Sequence, residues 1–129
     1  MKTNWALFLG CAAITLTALA VSAAELPPPA NKSGVTYATD IKPLFERSCV
    51  KCHNAEKAKA GVRLDALDQL LKSRKKVITP GQSETSKIVQ CAAGVCKDKD
   101  QNMPPKGKAD PFTKDEVGLL RAWIDQGAK

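Results

Sequence analysis

The sequence predicts an all-α chain of about four helices. Apolar residues recur at helical spacing in four separate stretches, and no segment alternates convincingly as a strand would. The chain is also short, 129 residues with 5% aromatics. A domain so small is marginal on its own core and usually needs a staple, a metal or a cofactor.

The first stretch is "TDIKPLFERSC", where Ile41, Leu44 and Phe45 share one helical face. Asp40 or Thr39 is its predicted cap, and Pro43 falls in the first turn, where a missing N–H costs little. The second is "LDALDQLLKSRKK". Leu67, Leu70 and Leu71 share a face, Asp65 is the predicted cap, and the basic end suits the negative end of the helix dipole. The third is short. Ser83 after the "PG" turn leads into "ETSKIVQCAAG", with Gly94 as the stop.

The fourth, "PFTKDEVGLLRAWIDQGAK", is the best specified. Thr113 is the predicted N-cap and Glu116 lies three residues on, a capping box, with Phe112 placed to staple onto Val117. Val117, Leu120 and Ile124 form a stripe, widened by Leu119 and Trp123, and Gly127 ends the helix. All these apolar residues read as core.

Ahead of the helices, residues 1–24 read as a cleaved signal peptide. After Lys2 no charge appears until Glu25, and the apolar run closes on small residues around Ser22, Ala23 and Ala24. A membrane anchor is the alternative, because a run of about 20 apolar residues can span. Cys11 follows too short an apolar run for a lipoprotein signal. The expected location is therefore periplasmic or otherwise exported, with no stable membrane span after cleavage. Residues 25–35, with "LPPPA", read as a Pro-rich flexible tail, and residues 36–129 as the folded domain. No internal repeat is visible.

The chain has 20 Lys+Arg and 13 Asp+Glu, a net charge of +7. Loss of Lys2 with the leader lowers that to +6 and leaves Cys49, Cys52, Cys91 and Cys96 from the five cysteines.

"SCVKCHNAEK" places two cysteines two residues apart, followed by the only histidine. A structural zinc site needs four ligands. Cys49, Cys52, His53 and one of Cys91 or Cys96 make that number, but adjacent Cys52 and His53 do not easily both reach one tetrahedral ion with Cys49. A thioredoxin-like redox site wants βαβ patterning, which is missing here. The favoured reading is C-x-x-C-H haem attachment. The thiols of Cys49 and Cys52 add across the haem vinyl groups, and His53 turns its imidazole to the iron. This attachment occurs outside the cytoplasm, which agrees with the leader.

Beyond the leader the one methionine is Met103, in "NMPPKGK". Pro104 and Pro105 fix φ at two successive positions, so the loop can present sulfur without a helix behind it. Met103 is thus the candidate second axial ligand, the arrangement that raises the potential over bis-His. A loop methionine with no ligand role is the alternative.

These segments resemble the small class I cytochrome c domains of planctomycete type. "YATDIKPLFERSCVKCHNAEKAKAGVRLD", the pattern P-G-x-S-x-x-S-K-I and "NMPPKGKADPFTKDEVGLLRAWIDQGA" carry the likeness, over about residues 36–128. The resemblance implies a cytochrome c-like fold around one covalently attached haem, its first and last helices crossing beside it. It implies Cys49 and Cys52 as haem attachments, His53 as proximal and Met103 as distal ligand. Such domains are often fused to larger enzymes or repeat domains. Here the domain is expected to stand alone behind its leader.

The expected function is single-electron transfer by an exported monohaem c-type cytochrome with haem c as cofactor, not an enzyme. The alternative is a haem-based small-ligand sensor or a peroxidase-like protein with a labile Met103. Peroxidase work wants an acid–base group near an open iron, and the only histidine is already used.

Cys91 and Cys96 are outside the resemblance. In an exported protein two nearby cysteines left after haem attachment are expected to pair. Closing so short a ring contributes roughly 2 kcal/mol by chain entropy. The bond would tie the end of the third helix to the Met103 loop; two free thiols are the alternative. Arg63 in "GVRLD" is a candidate propionate contact, or else a solvated arginine. Lys97, Lys99, Lys106 and Lys108 flank Met103 in sequence and suit a redox partner with an acidic docking face, or simply face solvent. No nucleic-acid partner is expected.

Overall fold

The computed structural model describes residues 25–129, so the expected leader and Cys11 lie outside the described residues. Those described are helical, with four α-helices and no strand among them.

Helix α1 spans Lys42–Ser48 and is entered through one wide π-type turn, Tyr37–Ile41. Tyr37, Ile41 and Phe45, four residues apart, are the buried face, while Leu44 is half-buried at its edge. The start differs from the predicted cap. Thr36, not Asp40 or Thr39, caps the turn, its hydroxyl accepting from the Thr39 amide at 3.4 Å. The Asp40 carboxylate reaches backward instead, accepting from the Thr36 amide at 2.9 Å and pairing with Lys32. Pro43 sits in the first turn of α1, as predicted.

Helix α2, Leu67–Leu71, is shorter than its apolar pattern implied. Asp65 does not cap it, because Arg63 takes both of its carboxylate oxygens, at 3.0 and 2.8 Å. Leu70 is buried, but Leu71 is 44% exposed and leaves the predicted core face.

Helix α3, Lys87–Ala92, ends before Gly94, whose φ of +72° lies in the left-handed region. Ser83 does not begin this helix. Its amide and hydroxyl both donate to the Asp125 carboxylate at 2.9 Å, which fastens the turn before α3 to the end of α4.

Helix α4, Lys114–Asp125, has the predicted capping box. The Thr113 hydroxyl accepts from the Glu116 amide at 3.2 Å, and the Glu116 carboxylate accepts from the Thr113 amide at 2.8 Å. Val117, Leu120, Trp123 and Ile124 are buried. Phe112 stacks on Phe45, ring centroids 6.3 Å apart, and Tyr37 packs on Trp123 at 5.9 Å. The entrance to α1 thus lies against α4, and these aromatics join the two ends of the domain. The C-terminal residue closes the join: the Lys129 carbonyl accepts from the Tyr37 amide and the Trp123 indole, both at 2.9 Å.

The Pro-rich segment is extended, as its prolines require, but it is not a free tail. It runs along α4 as a strap. The Ala30 amide donates to the Gly118 carbonyl at 2.9 Å, and the buried Arg121 donates to the Pro27 carbonyl. Further on, the Gln126 side chain donates to the Lys32 carbonyl at 2.7 Å and accepts from the Val35 amide at 3.2 Å. Glycine at 118 permits the close approach, since a Cβ there would lie 2.8 Å from the Pro28 carbonyl oxygen.

Candidate haem site

The C-terminal end of α1 presents the cysteine pair. Cys49 caps the helix, its amide donating to the Phe45 carbonyl at 2.7 Å. The Cys49 carbonyl then accepts from the amides of both Cys52 and His53, each at 3.1 Å. One tight turn therefore carries both thiols and the imidazole. Asn54 holds its exit: its side chain donates to the Val50 carbonyl at 2.8 Å and accepts from the amides of Glu56 and Lys57, both at 3.0 Å. Asn54 was not singled out from sequence, although an Asn directly after the motif is a turn signal.

The imidazole is held from a second direction. His53 Nδ1 lies 3.2 Å from the Val62 carbonyl oxygen, and the His53 carbonyl accepts from the Leu64 amide at 2.8 Å. A carbonyl only accepts, so this contact assigns a proton to Nδ1, and in the neutral imidazole Nε2 is then the nitrogen with the free lone pair. The segment doing this is itself anchored: Val62 and Leu64 are buried, and the Tyr37 hydroxyl donates to the Leu64 carbonyl at 3.0 Å. A second partner of this kind fixes ring orientation and tautomer in metal-ligating histidines.

Cys49 and Cys52 are free and half-buried. Burial pushes the Cys49 thiol up to about 12, against a small opposing pull from Arg47. It is therefore a neutral S–H at physiological pH, not a reactive thiolate. Cys91 and Cys96 lie at disulfide distance from each other, with Cα atoms 5.1 Å apart. So paired, neither completes a four-ligand zinc set with the first two cysteines. Among the described residues no cluster of three His, Cys, Asp or Glu side chains is placed to hold a metal ion.

Met103 is half-buried, and its backbone is tied to the Cys91–Cys96 loop through its amide, which donates to the Cys91 carbonyl at 3.0 Å. Arg63 spends Nε and Nη2 on Asp65. Lys97, Lys99, Lys106 and Lys108 are all exposed. Arg121, buried and donating at 3.1 Å to the Ser83 hydroxyl, escaped sequence reasoning because nothing local marks a helical arginine as interior.

Two free thiols on one turn, an imidazole with Nε2 available, and a thioether elsewhere form a donor set that fits covalent haem. A helical fold with no strand among the described residues, together with this turn, is consistent with a c-type cytochrome domain. Residues 49–107 match the family model for Planctomycete cytochrome C, and this segment is accordingly similar to planctomycete-type cytochrome c domains, whose cofactor is covalently bound haem c with its iron. The match begins at Cys49 and ends at Gly107, so it contains both the C-x-x-C-H turn and Met103 but not α4. No curated protein and no solved structure gives a match.

Proposed function

We propose that the protein is an exported monohaem c-type cytochrome that carries single electrons, with Cys49 and Cys52 as thioether attachments and His53 and Met103 as axial ligands. The observation that carries this reading is the Val62 carbonyl at His53 Nδ1, 3.2 Å away, which orients the ring and leaves Nε2 to the iron. Haem c, when bound, supplies an iron that takes up and releases one electron. The chain's own part is to fix the donors. The Cys49–His53 turn holds the thiols beside the imidazole, and the Cys91–Cys96 loop holds the Met103 backbone. Rigid donors change little between oxidation states, which keeps the reorganisation accompanying transfer small.

The pairing of Cys91 with Cys96 as a structural disulfide supports an oxidising compartment, in agreement with a cleaved leader. No helix among the described residues is long and apolar enough to cross a membrane. An acidic partner would meet the exposed lysines around Met103, although Asp98 and Asp100 interleave with them. Arg63 has one guanidinium nitrogen, Nη1, left for a propionate after Asp65 takes the other two. The chain's only histidine spends Nδ1 on Val62, which leaves no imidazole for peroxidase-type acid–base work.

A spectroscopic redox titration tests the function. The expected result is a reversible one-electron curve and no carbon monoxide binding on mixing with the reduced protein. Rapid carbon monoxide binding would favour the small-ligand sensor.

A further inference from the structure

We propose that Asn102 is the positioning residue for Met103, a role its side chain performs by bridging the Met103 loop to the Cys91–Cys96 loop. The proposal rests on reading Met103 as the distal ligand. The Asn102 side-chain oxygen accepts from the Cys96 amide at 3.0 Å, and its nitrogen donates to the Gly94 carbonyl at 3.1 Å. The next residue adds the reciprocal bond, the Met103 amide donating to the Cys91 carbonyl at 3.0 Å. Three hydrogen bonds from two consecutive residues therefore land on three points of one loop.

That loop is a rigid acceptor. Its ends, Cys91 and Cys96, lie at disulfide distance, and both are buried. Across its base the Val95 amide donates to the Gln90 carbonyl at 2.9 Å, and within it the Gly94 amide donates to the Cys91 carbonyl at 3.1 Å. On the far side, the short 3-10 turn Lys99–Gln101 delivers Asn102, whose amide donates to the Lys99 carbonyl at 3.1 Å. Met103 is followed by two prolines that have no N–H to contribute. Its backbone is therefore fixed from the N-terminal side, by its own amide and by Asn102.

Asparagine is specifically suited. Its side chain offers an acceptor and a donor on one planar group, as required to meet an N–H and a C=O together. Aspartate keeps the acceptor for Cys96 but has no donor for Gly94. Alanine loses both bonds and leaves the amide of buried Cys96 and the carbonyl of exposed Gly94 to find water. A Met103 sulfur held less firmly competes less well with an added ligand for the iron.

The test uses the holoprotein and four forms: wild type, Asn102→Ala, Asn102→Asp and Met103→Ala. Imidazole affinity of the oxidised iron is measured along with amide hydrogen exchange. Each lost hydrogen bond should loosen the loop by roughly fivefold to tenfold. The expected order of imidazole affinity is wild type, Asn102→Asp, Asn102→Ala, Met103→Ala, weakest to tightest. The Met103 and Cys96 amides should exchange roughly 25-fold to 100-fold faster in Asn102→Ala, which loses both bonds, with the Tyr37 amide unchanged. If Met103→Ala binds imidazole more tightly but Asn102→Ala and Asn102→Asp match wild type, the positioning role is overturned and the ligand stands. If Met103→Ala itself matches wild type, the ligand reading fails and the proposal with it. Should Asn102→Ala yield no holoprotein, Asn102→Asp decides: affinity and exchange equal to wild type overturn the proposal.

Discussion

Arg47 and Glu116 form a two-pronged ion pair between α1 and α4, with Nη1 2.7 Å from Oε1 and Nη2 2.8 Å from Oε2. Arg47 stands two residues before Cys49, and Glu116 belongs to the α4 capping box. One carboxylate thus serves the helix start and the base of the cysteine turn together. The Arg47 guanidinium, helped by the Thr113 amide and opposed by partial burial, brings the Glu116 carboxyl down to about 2.

A lowered carboxylate pKa contributes stability that is present above its unfolded value and lost as pH falls through the folded one. For Glu116 that window runs from 4.5 down to about 2. Glu116→Gln keeps a capping side chain but removes the charge. At pH 7 we expect it to cost about 1 kcal/mol, since the pair is partly exposed. Denaturant midpoints at pH 7 and pH 2.5 check this: the gap between variant and wild type should narrow at the lower pH. An equal gap at both would remove the ion pair from the account.

The strap gives a second prediction. Gly118→Ala sets a methyl group 2.8 Å from the Pro28 carbonyl, and that neighbour is backbone. Either the strap lifts or α4 shifts, at a cost of about 1–3 kcal/mol. Hydrogen exchange at the Ala30 amide should accelerate strongly, because its acceptor is the Gly118 carbonyl. Unchanged exchange and stability would mean that the strap is not seated on α4 in solution.

The cysteines give a third. In the mature holoprotein all four should be occupied, two by haem and two by each other. Alkylation under denaturing, non-reducing conditions should add no mass, and reduction beforehand should expose two thiols. Haem should stay with the denatured chain, and Cys49→Ala or Cys52→Ala should leave at most one thioether and much less holoprotein. Two alkyl groups without reduction would mean Cys91 and Cys96 are not joined, and haem extracted by acid and organic solvent would mean that attachment is not covalent.

Local chemistry was legible from the residues. The α4 capping box needs only Thr113 and Glu116 three apart, and the structure has it. The four helices follow from apolar spacing, and the cysteine turn from a contiguous motif. What escaped was decided by competition between side chains. Asp65 has a good capping position but is claimed by Arg63, and Asp40 is claimed by Thr36 and Lys32. Partners far apart in sequence were equally hidden. Nothing in "LPPPA" names Gly118 as its seat, and nothing in "NMPPK" shows that Asn102 meets Gly94 and Cys96. Val62 is buried, yet it is its carbonyl rather than its side chain that orients His53.

The central claim is that His53 and Met103 together hold the iron of an electron carrier, and the far-red spectrum of oxidised wild type against Met103→Ala tests it most directly. Thioether sulfur is a soft ligand that favours the ferrous state and raises the potential. Wild type should be low-spin and six-coordinate, with the weak sulfur-to-iron band. Met103→Ala should lose the band, open the iron to added ligands and lower the potential, since the only other methionine in the sequence is Met1. A wild type that is already high-spin, or a Met103→Ala variant with unchanged spectrum and potential, would contradict the account.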